Sequence, residues 1–483
     1  MNMDYYMKKN IYLIVDSLYA AAGGLTKSLY DKASFLSKHH NVTIITLNFN
    51  LHLNKRYKDI VKNEKLSKDV KIKYFFSDIG LIDNKKSTSK NPEFENLLNN
   101  LSDLQSQKIN NAIRVFDTDG HYHAYISHNE NNDIHFIDFM NKIDPNVLEK
   151  RYSFFNNQLI SKDLFKDNKK IQQIIFNQNQ APILNLWYKD NQPYRYFDLR
   201  SEQVFEKKIN ELLSDWLKAF IKDNDTILID YNFSKVATLL DQVDCEKICF
   251  IHSHQDYCND TKFLKSFSDF DKFVFLTNLQ LNDFKTINPN IVKKSFLLPH
   301  PTTTLLKNTQ RQKRLITISR LAANKPIAPA IKAFSKVLND FPEYIYEIYG
   351  NGSEKENLEK LIKDLNLEKK VFLKGYTNNA LDLFLNSELS ISLTKFEGFG
   401  LSILESLSMS CPVITSNVKY GPSEMVIHSK NGFLVNHDDI DDISNAIRSI
   451  LNNPQEFQNN CIASIKNNTM KTWETSLLDI VSS

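Results

Sequence analysis

Residues 389–405 read LSISLTKFEGFGLSILE. Leu389–Leu393 has the apolar content of a buried strand, the loop beyond it holds Gly398 and Gly400, and Leu401–Met409 has helical apolar spacing. A strand that passes through a glycine loop into a helix is the repeating half of a doubly wound α/β fold. The two glycines let the backbone approach a ligand closely. Unpaired N–H groups at the helix start suit a phosphate, and the helix dipole helps. Glu405 stands one turn into the helix, where a carboxylate reaches a ribose held at the helix mouth. An ordinary strand–loop–helix turn with surface glutamates has the same pattern, so this stretch decides the fold before it decides the function.

The same alternation extends on both sides. Strands are expected at Arg314–Ser319, Ile345–Tyr349, Val371–Leu373 and Val413–Ser416, with helices at Ile327–Leu338 and Glu354–Leu365. Near the N-terminus, Asn10–Val15 and Val42–Leu47 read as buried parallel strands around a helix over Thr26–Ser37. Between these halves the texture changes. Pro92–Ile113 reads as a polar helix, and Ile113–Leu199 as short alternating strands with hairpin turns at Asp119-Gly120 and Asp190-Asn191. The expected fold is α/β with two Rossmann-like domains facing a cleft and a β-rich insertion in the first. The expected boundaries are 1–85 and 204–303 for the N-terminal domain, 86–203 for the insertion, 304–470 for the second domain and 471–483 for a C-terminal helix.

Composition narrows the class. The 483 residues carry a net charge of +3, 42% hydrophobic and 24% charged residues, which suits large soluble cores and argues against a nucleic-acid partner. No apolar run approaches the ~20 residues of a membrane-spanning helix. Ile11–Val15 is too short for a signal-peptide core. A cytoplasmic protein is expected, with peripheral placement at the inner membrane face a compatible alternative. Five cysteines form no disulfide framework. Of the 11 glycines, seven lie between Gly350 and Gly432, so the second domain holds most of the close backbone approaches.

Four further sites stand at strand ends. Ser319-Arg320-Leu321-Ala322-Ala323-Asn324-Lys325 puts two cations after a strand, suited to neutralising a diphosphate leaving group, although a solvated basic loop reads alike. Phe250-Ile251-His252-Ser253-His254 puts histidines at a strand tip, where one projects toward the cleft or serves structure alone. Gly23-Gly24 follows the first strand, and Gly350-Asn351-Gly352 and Gly375-Tyr376 follow strands of the second domain; plain tight turns explain each equally well. Cys245, Cys249, Cys258, His252 and His254 lack the paired spacing of a structural zinc site.

Two glutamates separated by seven residues, Glu397 and Glu405, resemble the signature of retaining GT-B transferases of glycosyltransferase family 4. The resemblance implies that Glu405 contacts the donor ribose and Glu397 the donor sugar. It implies that the amides of Phe399, Gly400 and Leu401 hold the diphosphate, and that Arg320 and Lys325 are the family's cation pair. It places His252, with His254 in reserve, at the reaction centre. Gly23 and Gly24 would face the donor phosphates, and Gly352 and Tyr376 would lie beside the nucleotide. No metal or other cofactor is implied, because Arg320 and Lys325 carry the phosphate charge and no Asp-x-Asp pair falls in a suitable loop.

Lys419-Tyr420-Gly421-Pro422-Ser423-Glu424, Asn431-Gly432-Phe433-Leu434-Val435 and Gly23-Gly24-Leu25-Thr26 narrow this to a resemblance with bacterial enzymes that glycosylate wall teichoic acid. That implies a UDP-sugar-dependent hexosyltransferase acting on poly(ribitol phosphate) or poly(glycerol phosphate). It also implies a homo-oligomer, a trimer through the insertion. Asn324 and Phe399 stand at variable places in the donor motifs, which leaves glucose and N-acetylglucosamine both open. Protein O-glycosyltransferases acting on serine-rich repeats share the layout and are the main enzymatic alternative. An inactive GT-B partner or chaperone and a sugar-nucleotide epimerase are alternatives of other kinds. A basic groove for a polyphosphate acceptor would draw on Lys55, Arg56, Lys58 and Lys62, which read equally as a solvated charged face.

Overall fold

The computed structural model describes residues 8–18, 24–48, 50, 53–78, 92–155, 158–200, 206–207, 209–230, 236, 239–240, 242–252, 269–303 and 311–483. The two parallel α/β sheets and the β-rich insertion expected from the sequence are all present. By packing, the chain divides into two compact units. One comprises Met1–Ala21, Ser37–Ile227 and Ser234–Glu246; the other comprises Ala22–Leu36, Leu228–Phe233 and Lys247–Ser483.

The six-stranded sheet has the order Val371–Gly375, Ile345–Tyr349, Gln312–Ile318, Ser387–Ser392, Val413–Ser416, Gly432–Val435, and every neighbouring pair is parallel. Numbered along the chain this is 3-2-1-4-5-6, the doubly wound order, whose direction reverses between the first and fourth strands. Its core joins strand residues such as Leu315, Ile348, Leu389 and Ile414 to Ile331, Phe334 and Val337 of the helix Ile327–Val337. Burying each such side chain contributes roughly 1.5–3 kcal/mol.

The seven-stranded sheet has the order Ser295–Leu297, Lys272–Phe275, Glu246–Ile251, Thr226–Ile229, Asn10–Val15, Asn41–Thr46, Lys71–Tyr74. Its direction of winding also reverses beside the first strand. The helix Gly24–Leu36 buries Leu29, Ala33 and Leu36, as their spacing predicts, and it also buries Lys32.

The insertion is an antiparallel meander of ten strands running in sequence order from Gln105–Ile109 to Glu206–Lys207. Asp190 and Asn191, at φ 51° and 60°, make the tight turn expected of them, and Asp167 and Asn168 repeat it. Phe94 and Leu101 of the helix Pro92–Ser102 pack on one face with Val115, Ile137 and Phe154; the Phe94 and Phe154 rings are 4.4 Å apart. The expected helix over Pro92–Ile113 is corrected here. The helix ends at Ser102, and Gln105–Ile109 pairs antiparallel with Ala112–Phe116 through a turn with Asn110 at φ 52°. Gln105–Ile109 is an edge strand with an exposed, polar surface, so its composition mimics that of a solvated helix.

Candidate active site

In open α/β sheets, ligands bind at the carboxyl ends of strands where the strand order reverses. In the six-stranded sheet that point lies between Gln312–Ile318 and Ser387–Ser392. The loops leaving these two strands carry Arg320 and Lys325 on one side and Glu397 to Gly400 on the other. They meet: the Lys325 ammonium lies 2.6 Å from a Glu397 carboxylate oxygen and 3.1 Å from the Thr394 hydroxyl. Lys395 N–H donates to the Asn324 carbonyl at 3.0 Å, which fixes the second strand-end loop against the first. Arg320 is exposed and has no ion-pair partner among the described residues.

Glycine sets the tightness of these loops. A Cβ on Gly352 would stand 2.1 Å from the Leu321 carbonyl oxygen, and one on Gly421 would stand 1.7 Å from that of Phe399. The loop at Gly352 therefore lies directly on the Arg320 loop, and the segment at Gly421 lies under Phe399. Leu321 N–H donates to the Asn351 carbonyl at 3.0 Å, and Gly350 N–H to the Gly375 carbonyl at 2.8 Å. These bonds join the loop that leads to Tyr376, which is 61% exposed.

The helix Leu401–Ser408 starts at Gly400, which adopts φ 92° and leaves the helix without a side-chain cap. Uncapped N–H groups and the positive end of the helix dipole thus face the switch point. The helix Gly24–Leu36 starts at the same place, because a Cβ on Gly24 would stand 2.6 Å from the Leu401 side chain. Lys27 of that helix pairs with Glu405 at 3.1 Å.

Behind these loops lies a charged cluster that the sequence reading missed. His252 Nε2 is 2.8 Å from Asp230 Oδ1, and the same oxygen accepts from the Lys32 ammonium. Lys32 is 1% exposed and Asp230 4%. The Lys32 ammonium also sits 3.7 Å from the centre of the Phe250 ring. Burial on its own would raise the Asp230 carboxyl, but the Lys32 charge and the His252 hydrogen bond outweigh it and hold the group well below the usual carboxylate range. A carboxylate only accepts, so His252 must carry its proton on Nε2. The His252 ring stacks at 6.1 Å on His300, whose pKa burial pushes well below the ordinary imidazole value, with His252 and Lys32 adding to the effect. His300 in turn meets the Phe399 ring edge-on at 5.0 Å.

The structure thus brings Lys325, Glu397, Phe399, Gly400, Leu401, Glu405 and Gly24 together with His252 and leaves Arg320 exposed beside them. Gly23 and His254 lie outside the described residues. The signal for Asp230 was available, since it ends a fully buried strand next to a reversal of strand order. Cys245 and Cys249 are buried free thiols, and Cys258 lies outside the described residues. Among the described residues, one potential metal cluster arises, Asp117, Asp119 and His121, on a hairpin of the insertion.

Residues 306–468, which hold every switch-point residue of the six-stranded sheet, match the family model for glycosyl transferases group 1. Residues 306–468 thus form a group 1 glycosyltransferase domain, in a chain of the GT-B fold. It resembles the teichoic acid α-glycosyltransferases over nearly its full length. It is 28% identical to the poly(glycerol-phosphate) alpha-glucosyltransferase of Bacillus subtilis, over 95% of this chain and 71% of that one. It is 28% identical to the poly(ribitol-phosphate) alpha-N-acetylglucosaminyltransferase of Staphylococcus aureus, over 92% and 93%. In fold it matches the crystal structure of TarM with a TM-score of 0.82 at 24% identity, over 99% of both chains. It also matches the pneumococcal O-GlcNAc transferase GtfA, solved with UDP and GlcNAc, with a TM-score of 0.71 at 17% identity, over 99% and 100%. Both of the relatives at 28% identity are named for transfer of a hexose unit, glucose in one and N-acetylglucosamine in the other. None of its described helices is long and apolar enough to cross a membrane.

Proposed function

We propose that this transferase moves N-acetylglucosamine or glucose from a UDP-sugar, with retention of configuration, to a hydroxyl of poly(ribitol phosphate) or poly(glycerol phosphate) wall teichoic acid in the cytoplasm. The observation that carries this reading is the switch point itself. There the Lys325–Glu397 pair, an Arg320 unpaired among the described residues and an uncapped helix start at Gly400 lie on neighbouring strand-end loops. The two relatives named for polyol-phosphate acceptors, each matched over more than nine tenths of this chain, support the acceptor class.

In this mechanism Arg320 and Lys325 stabilise the negative charge that develops on the diphosphate as the bond from the anomeric carbon to the phosphate oxygen breaks. The amides of Phe399, Gly400 and Leu401 hold the diphosphate, with Gly23 and Gly24 facing it. Glu405 binds the ribose, while Gly352 and Tyr376 flank the nucleotide. Glu397 and His252 position the sugar. Asp230, itself held by Lys32, fixes the His252 ring in one orientation and tautomer, and is thus a positioning residue. The acceptor hydroxyl attacks from the face that UDP leaves, and its proton passes to a donor phosphate oxygen. This forms the new glycosidic bond and releases UDP. The insertion is read as the contact surface of a homotrimer, which a mass measurement by light scattering tests.

The deciding experiment incubates the protein with UDP-glucose or UDP-N-acetylglucosamine and with poly(ribitol phosphate), poly(glycerol phosphate) or a serine-rich peptide. UDP release and sugar incorporation are measured. Acceptor-dependent turnover with one polyol phosphate is expected and names both substrates. Turnover with the peptide alone would move the enzyme to the protein-glycosylating branch, and no turnover with any combination would leave an inactive GT-B partner.

A further inference from the structure

The helix Leu53–Lys62 and the turns of the insertion enclose a pocket of about 490 Å³ within the unit that holds the insertion. That volume lies in the range of small-ligand sites. Its lining is chemically mixed. Lys55, Arg56, His128 and His135 offer cationic or N–H donor groups, while Asp59 and Glu130 offer carboxylates. The walls are fixed from below. The Arg56 guanidinium donates to the Leu18 carbonyl at 2.8 Å, and the Asn129 side chain accepts from the N–H groups of Asn131 and Asp133 at 2.9 and 3.0 Å, which holds the turn carrying Glu130. Lys55, Asp59 and Glu130 are exposed.

A purely basic pocket would suit any polyanion. One that sets two carboxylates among the cations repels dense anionic charge and accepts hydrogen bonds from hydroxyls. A polyol phosphate presents these two demands alternately along its chain: a phosphodiester, then a run of hydroxyls. We infer that this pocket is a second subsite for the polymeric acceptor, taking a phosphodiester at Lys55 and Arg56 and adjoining polyol hydroxyls at Asp59 and Glu130. The inference rests on the polyol-phosphate reading of the enzyme and adds to it a place that holds the polymer without taking part in the transfer.

The test uses the full-length protein and reads binding separately from turnover. Poly(glycerol phosphate) and inorganic polyphosphate of matched charge are titrated directly into the wild type, Lys55→Glu and the Asp59→Asn/Glu130→Gln double variant. Turnover of the polymer and of a single glycerol phosphate unit is followed in parallel. Lys55→Glu is expected to weaken polymer binding by about tenfold, as for a charge reversed at a partly screened contact, and to flatten its salt dependence. Turnover of the single unit should change less than about twofold. The wild type should prefer polyol phosphate to inorganic polyphosphate, and the double variant should narrow that preference. Polymer binding unchanged in Lys55→Glu would overturn the subsite, and an undiminished preference in the double variant would overturn the role of the carboxylates. Charge-dependent polymer binding by a protein that glycosylates no polyol phosphate would keep the subsite and remove the acceptor reading, so the two failures are distinguishable.

Discussion

The two parallel sheets bring chemistry to their strand ends in opposite ways. The six-stranded sheet hangs its side chains on glycine loops. Gly352 and Gly421 admit backbone contacts that a Cβ would block, and Gly400 takes a left-handed conformation that starts a helix without a cap. Arg320, Lys325 and Glu397 ride on those loops, partly open to solvent. The seven-stranded sheet instead ends in a buried cluster. Asp230 and His252 sit directly on the tips of their strands, and Lys32 reaches Asp230 from a helix core. The first arrangement leaves Arg320 without an ion-pair partner among the described residues and pairs Lys325 with Glu397 where both are partly open to a ligand. The second spends its charges on one another, which fixes a ring in place. A group proposed to bind a diphosphate and a group that holds an imidazole still are therefore expected to fail differently when altered.

The largest effect is expected in the buried cluster. Lys32→Met leaves Asp230 charged, buried and without its main partner. It should lower stability by about 3–5 kcal/mol, as removal of one partner of a buried ion pair does. Adding Asp230→Asn should recover most of that loss, because the pair as a whole gains little over neutral residues of similar volume. Chemical denaturation of the single and double variants checks this. Equal loss in both would show that packing at Lys32, and not its charge, matters. The double variant should still turn over slowly, since an amide in place of the carboxylate can present either its oxygen or its NH2 to His252 and no longer fixes the tautomer.

On the open side the expectation reverses. Arg320 is exposed and unpaired among the described residues, so Arg320→Ala should leave the denaturation midpoint unchanged. Its kcat should fall by at least about 10²-fold, the cost of removing one preorganised charge stabiliser. Near-normal turnover would remove Arg320 from the mechanism and collapse the contrast between the two sheets.

His300 joins the two sides, stacking on His252 and meeting Phe399. Its pKa is depressed by burial, so the unfolded chain binds a proton at higher pH than the folded enzyme. The stability this group contributes is complete above the unfolded imidazole value of 6.5 and is lost as pH falls below it. The expected slope approaches about 1.4 kcal/mol per pH unit. His300→Gln should abolish that slope below pH 6.5 while leaving it unchanged above. A variant with the wild-type slope would assign the acid sensitivity elsewhere.

How much of this could be read from the sequence follows the same division. The six-stranded sheet was legible because its parts are close along the chain. Each strand is a short apolar run, each loop is marked by scarce glycine, and Glu397, Gly400 and Glu405 occupy one strand–loop–helix stretch. The turn at Asp190-Asn191 was legible for the same reason, as its conformation is written in two adjacent residues. The buried cluster was not, because Lys32 and Asp230 are 198 positions apart; Lys32 shares the helix face of Leu29, Ala33 and Leu36, but nothing local names the carboxylate that meets it. The edge strand Gln105–Ile109 was misread because its exposed surface removes the apolar alternation by which strands are recognised.

The smallest effect tests where the two arrangements touch. Lys27 and Glu405 pair at 3.1 Å, with Lys27 largely in solvent, so the pair should contribute no more than about 1 kcal/mol to stability. Its consequence for donor binding is sharper than its energy. The ammonium occupies one carboxylate oxygen, Oε1, and holds the Glu405 side chain in one orientation; in the proposed mechanism the other oxygen meets a ribose hydroxyl. Lys27→Met should then raise the KM for the UDP-sugar by about two- to fivefold, the equivalent of an exposed ion pair, with kcat unchanged. Added salt should raise the wild-type KM toward that of the variant, since screening weakens the same contact. If Lys27→Met instead tightened UDP binding, Lys27 would be a competitor of the ribose for Glu405. The helix start at Gly24 would then close the donor site in the absence of nucleotide instead of completing it.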